Sequence, residues 1–112
     1  MDIRERAVDA VTVLDLSGKV VLGEGDVQIK ERIKELLADG QGKILLNLGD
    51  VTYIDSAGLG ALISSYATVK RENGQMKLVN LTKRVQDLLA ITKLITVFET
   101  FDNEEEGIAS FK

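Results

Sequence analysis

The run Ile44-Leu45-Leu46-Asn47-Leu48 constrains the fold of this chain more than any other stretch. Its aliphatic residues fall on both alternating sets of positions, and the polar step Gly49-Asp50-Val51-Thr52 follows it. A strand with so little polar surface must be covered on both sides, which places it in the middle of a layered sheet. A few residues later the period changes. Leu59, Leu62, Ile63, Tyr66 and Val69 recur at helical spacing, so strand hands over to helix around Tyr53-Ile54-Asp55-Ser56. Ser56 is expected to be the N-cap, its hydroxyl accepting from free backbone N–H groups of the first turn. In sheets with parallel strands, sites collect at the carboxyl ends of the strands, and this junction is such an end.

The helix after Ser56 predicts two contrasting faces. Leu59, Leu62, Ile63, Tyr66 and Val69 form the core side, while Ala57, Gly60, Ala61, Ser64 and Thr68 form the other, with Gly58 and Ser65 at its margin. Long charged side chains are missing there until Lys70 and Arg71. A glycine inside a helix costs roughly 1 kcal/mol against alanine. Glycines are therefore expected where another backbone must come close, and the small face reads as a docking surface for a partner. The alternative is a first turn that packs beneath a loop of its own chain.

The absences exclude whole classes of chemistry. With no cysteine among 112 residues there is no thiolate nucleophile, disulfide or thiolate metal site. With no histidine a Ser-His-Asp hydrolase is impossible, and Ile54 stands where a G-x-S-x-G elbow has its first glycine. Gly23-Glu24-Gly25-Asp26 lacks the lysine and third glycine of a phosphate-cradling loop. A net charge of −4 argues against a nucleic-acid partner. The charged start Met1-Asp2-Ile3-Arg4-Glu5-Arg6 does not read as a secretory signal, and no apolar run is long enough to span a membrane. The expectation is a cytoplasmic, non-enzymatic domain of residues 1–112, without cofactor or metal and without membrane insertion, monomeric when free.

In chain order, Ile3 to Ala7 and Val11 to Leu16 predict an N-terminal hairpin, with Ser17-Gly18-Lys19 ending its second strand. Val20, Val21 and Leu22 are expected to pack back on the core from a loop. Asp26 is the expected cap of a first helix with Ile29, Ile33, Leu36 and Leu37 inward, stopped by Gly40 in a left-handed conformation. Lys30-Glu31-Arg32 and Lys34-Glu35 read as its solvated surface. Met76 to Asn80 predicts a strand, Thr82 caps a helix with Val85, Leu88 and Leu89 inward, and Ile95 to Phe98 is the last strand expected. Asp102 with Glu105 reads as a capping box for a final helix docked through Ile108 and Phe111. The fold class is α/β: a mixed, mostly parallel sheet with an N-terminal hairpin and helices packed on it.

The string from Ile44 to Gly60, with Asp55-Ser56-Ala57-Gly58-Leu59-Gly60 at its end, resembles the core motif of bacterial anti-sigma factor antagonists, the free-standing STAS-domain proteins. The likeness runs through the chain, from the strand–strand start to Lys77-Leu78-Val79-Asn80-Leu81. Ala57 departs from the second small polar residue many members carry. The resemblance implies that an anti-sigma factor, itself an ATP-dependent serine kinase, phosphorylates Ser56. The unphosphorylated protein binds that kinase and frees the sigma factor, and a PP2C-type phosphatase resets the switch. Asp55, Ser56, Ala57, Gly58, Gly60, Ala61 and Ser64 are the expected partner-binding residues. Two other readings stand beside this one. One is a receiver-like phospho-acceptor using Asp50 or Asp55, disfavoured because the N-terminal strands supply no acidic pair for Mg²⁺. The other is a STAS subunit of a lipid-transport or large signalling assembly.

Overall fold

The structure, a computed structural model, describes residues 1–111. β1 (Asp2–Val8) and β2 (Val11–Val20) pair antiparallel through the two-residue turn Asp9-Ala10. Both turn residues are left-handed, at φ 49 and 67, as a type I′ hairpin requires, although neither is glycine. α1 (Gly25–Ala38) crosses to β3 (Lys43–Ile54), and α2 (Ser56–Arg71) to β4 (Gln75–Val79). α3 (Lys83–Ile91) leads to the short β5 (Thr100–Phe101), and α4 (Glu104–Ala109) follows. The sheet order is β1-β2-β3-β4-β5, parallel at every pairing after the hairpin. This is the mixed α/β architecture expected from the sequence.

β3 explains why the sheet has two cores. Ile44, Leu46 and Leu48 join Leu14, Leu16, Ile29, Ile33 and Leu62 in the core that includes α1, α2 and α3. Leu45 points the other way and meets Val11, Val13, Val79, Ile108 and Phe111, the side on which α4 docks. The aliphatic run is thus buried on both faces, and α4 is held by the two residues picked out for it.

Local chemistry accounts for most of the element ends. Gly40 (φ 76) follows α1; its N–H bonds Leu37 and that of Gln41 bonds Leu36, the two closures of a Schellman motif. The Thr82 hydroxyl accepts from Val85 N at 3.2 Å and starts α3.

Several boundaries differ from expectation. β3 runs through the polar step to Ile54, because Val51 and Ile54 still face the core and β2 pairs alongside as far as Val20. β2 likewise continues past Gly18, whose φ of 96 sits where the register shifts, so this glycine makes a bulge and not a strand end. Asp26 lies inside the first turn of α1 and not at its cap, because Gly25 packs directly on Val20 and draws the helix start forward. Ile95 to Phe98 is turn, not strand. The N–H groups of Leu94 and Ile95 both donate to Leu89 at the end of α3, and Phe98 turns inward against Tyr66 with ring centroids 5.2 Å apart. Strand pairing passes to Thr100–Phe101. The cap of α4 is Asn103, accepting from Glu106 N at 2.9 Å, one residue beyond Asp102. Both residue types cap equally well, and the docking of Ile108 and Phe111 decides between them.

Candidate functional site

β2, β3 and β4 are parallel, so their carboxyl ends share one edge of the sheet, and the junction Asp55-Ser56 lies there. Asp55, not Ser56, is the N-cap of α2: its backbone is extended (φ −93, ψ −177) and its Oδ1 accepts from Gly58 N at 2.8 Å. Its Oδ2 accepts from Leu22 N at 3.0 Å, and its own N–H donates to Val20 O at 3.3 Å. A carboxylate can serve the helix and the β2–α1 loop at once, and a hydroxyl has no second oxygen for the loop. That is why Asp55 displaces Ser56 from the cap. Bonds from Gly58 and Leu22 hold the Asp55 carboxyl below the ordinary carboxylate range. Ser56 is left as the first helical residue, exposed, its hydroxyl without a hydrogen bond among the described residues.

The structure divides the expected binding residues. Ser56, Gly60 and Ser64 are exposed at successive i, i+4 positions, with Asp55 and Ala57 half-buried beside them. Gly60 faces open space: a Cβ there would meet nothing within 4 Å. Gly58 and Ala61 belong to the interior. A Cβ on Gly58 would lie 2.0 Å from Val20 O, and Ala61 is 1% exposed. Together with buried Ser65 they form a second stripe that α2 turns toward its own chain. For Gly58 and Ala61, packing beneath the protein's own chain is the correct reading; the open face is Ser56, Gly60 and Ser64.

Two flanking features were missed. Of Val20, Val21 and Leu22, Val20 alone is fully inside; Leu22 is 74% exposed, because its N–H is turned to Asp55. On the other side, β3 outruns β4, and α3 lies beside its free end. Tyr53, Ile54, Val85, Leu88 and Ile91 line a groove of about 660 Å³ there, with Ile91 81% exposed. The adjacent apolar pair Tyr53-Ile54 was the available signal, since successive strand residues face opposite sides and only one of the two can face the core. Among the described residues no three acidic side chains gather as a metal would need, and no helix is long and apolar enough to cross a membrane.

Residues 3–107 match the STAS domain family. An anti-sigma-B factor antagonist from Bacillus subtilis is 33% identical over 91 residues, covering 79% of this chain and 84% of that protein. The crystal structure of a candidate anti-sigma factor antagonist from Thermotoga maritima superposes with a TM-score of 0.88 at 26% identity, covering 96% of this chain and 92% of that one. The Bacillus cell fate determinant SpoIIAA shares the fold at 19% identity in its phosphorylated form, with a TM-score of 0.76 and coverage of 99% and 100%. Its unphosphorylated form gives 0.73, with coverage of 97% and 96%. The chain therefore belongs to the STAS domain family.

Proposed function

We propose that residues 1–112 act as an anti-sigma factor antagonist, a binding protein and not an enzyme. In this reading an anti-sigma factor with ATP-dependent serine kinase activity docks on the face of Ser56, Gly60 and Ser64. The sigma factor is released, phosphorylation of Ser56 ends the binding, and a PP2C-type phosphatase restores it in the cytoplasm. The carrying observation is the pairing of Asp55 with Ser56: the carboxylate is committed to Gly58 and Leu22, while the neighbouring hydroxyl is exposed and uncommitted. A kinase can reach that hydroxyl without breaking any bond of the fold. The curated relatives supply the role, since they are named antagonists of anti-sigma factors.

A phosphate on Ser56 adds about −1.5 to −2 charges at the start of a helix, a position that favours anions. The cost falls on a partner that must bury the dianion in a close interface. The test is incubation with an anti-sigma kinase from the same genome and Mg-ATP, followed by phosphopeptide mapping and binding measurements. Phosphate on Ser56 alone is expected, with binding by the unmodified protein and by Ser56→Ala, and none by the phosphorylated form. Gly60→Leu should stay folded and fail to dock. Label persisting in Ser56→Ala would refute the assignment.

A further inference from the structure

The flank of α2 beyond Ser64 carries a feature that the Ser56 reading does not use. Lys30, Lys34 and Arg71 converge with Ser64, Ser65 and Thr68 on a groove of about 260 Å³ between α1 and α2. None of the three cations has a carboxylate partner among the described residues, whereas Arg6, Arg32, Lys77 and Lys83 are ion-paired. Arg71 instead donates to Thr68 Oγ1 at 3.3 Å. Lys30 and Lys34 are neighbours at i, i+4 on one helix, an arrangement of like charges that costs stability. The groove floor adds a second observation. Ser65 is 3% exposed and its hydroxyl is the one buried side-chain polar atom without a hydrogen-bond partner among the described residues. Three unpaired cations around an unsatisfied donor, on a protein of net charge −4, describe a site waiting for an oxyanion.

We infer that this groove receives an acidic side chain of the protein that docks over Ser56. The inference rests on the proposed function. Ser56, Gly60 and Ser64 lie along one line of α2, and Ser64 is roughly 12 Å from Ser56 by helical rise. A partner seated on that line reaches the groove without leaving the surface. Charge complementarity selects the carboxylate: no acidic group lines the groove, and its polar lining is cations and hydroxyls. The groove therefore steers and orients the partner, while Ser56 decides whether it stays.

The experiment compares Lys30→Gln/Lys34→Gln/Arg71→Gln with the wild type against the kinase that modifies Ser56, by calorimetry at low and at high salt. Lys93→Gln, outside the groove, is the charge control. Affinity of the triple variant should fall on the order of tenfold at low salt and lose most of its salt dependence, with the control unchanged. Its melting temperature should be equal or higher, because the like-charge cluster is gone. The double variant Lys30→Gln/Lys34→Gln, which keeps the Arg71–Thr68 bond, should show the same direction of change. Wild-type affinity and salt dependence in both variants would overturn the inference and leave the Ser56 reading intact. No binding by the wild type would instead overturn the Ser56 reading, and the inference with it. Binding of Mg-ATP by the isolated wild type and not by the triple variant would make the groove a nucleotide-phosphate site and defeat the docking role.

Discussion

Replacing Gly58 by alanine should destabilise this domain, although the same replacement two residues on should stabilise it. Both glycines lie in α2, where alanine is favoured by roughly 1 kcal/mol. At Gly60 nothing lies within 4 Å of the added methyl, so Gly60→Ala should gain up to about that amount. At Gly58 the methyl would stand 2.0 Å from Val20 O and 2.9 Å from both Val20 C and Val20 Cγ1. The obstacle is backbone at the end of β2, which the Asp55 N–H and the Leu22–Asp55 bond tie to α2. Relief therefore means moving a strand end and loosening the cap. Overpacking costs typically about 1–3 kcal/mol, more where backbone must shift, and the propensity gain offsets roughly 1 of it. Because the propensity gain is common to both, the two variants should differ by the overpacking cost itself, about 1–3 kcal/mol or more, with Gly58→Ala the less stable. Urea melts resolve this, since a slope of roughly 1–3 kcal/mol per M turns such a difference into a midpoint shift of at least about 0.3 M. Equal midpoints for the two variants would mean that Gly58 does not lie against Val20, and the division of α2 into an inner and an outer small stripe would fall.

Asp55→Ala should lower the urea midpoint, because it orphans the N–H groups of Gly58 and Leu22, while Ser56→Ala should stay within about ±0.5 kcal/mol of wild type. The reverse order would return the cap to Ser56. Acid should expose the same clamp. The Asp55 carboxyl is held low by its bonds to Gly58 and Leu22, and that of Asp15 by the Arg6 guanidinium. Because folding depresses both, their stabilisation is complete above the unfolded value of about 3.9 and is lost as pH falls through the folded values. Urea midpoints measured from neutral pH downward should hold steady and then drop below about pH 4, and the gap between wild type and Asp55→Asn should close there. A gap that persists at the acid end refutes the clamp.

What was legible in the sequence is what short-range chemistry decides. The two-sided burial of Ile44 to Leu48 fixed the place of β3, and the change of period after Ile54 located the turn into α2. Thr82 and Gly40 behaved as local capping rules require. The misses share a physical origin in contacts remote along the chain. Asp55 and Ser56 are adjacent and both cap well; the choice was made by the N–H of Leu22, 33 residues earlier. A helical wheel separates large apolar from small residues, but a small residue facing another backbone looks the same as one facing water. Gly58 and Gly60 are therefore indistinguishable until Val20 is in place. The strand expected at Ile95 to Phe98 failed partly for the same reason, since Tyr66, 32 residues earlier, claimed Phe98, while the nearby end of α3 claimed the N–H of Ile95.

Moving the cap from Ser56 to Asp55 changes how the proposed switch works. Were Ser56 the cap, its phosphorylation would remove a bond that starts α2, and folding would be coupled to modification. With Asp55 capping, a phosphate on Ser56 would add charge at a helical residue whose side chain holds nothing in place. The new dianion and the Asp55 carboxylate repel, but both sit at the positive end of a 16-residue helix, which offsets part of that repulsion. Any strain reaches first the Asp55–Leu22 bond, an exposed contact of the β2–α1 loop, and leaves the buried contacts of Leu59 and Leu62 alone. On the proposed reading, phosphorylation of Ser56 should therefore leave the urea midpoint unchanged while abolishing partner binding, and a midpoint that falls with modification would return Ser56 to the cap.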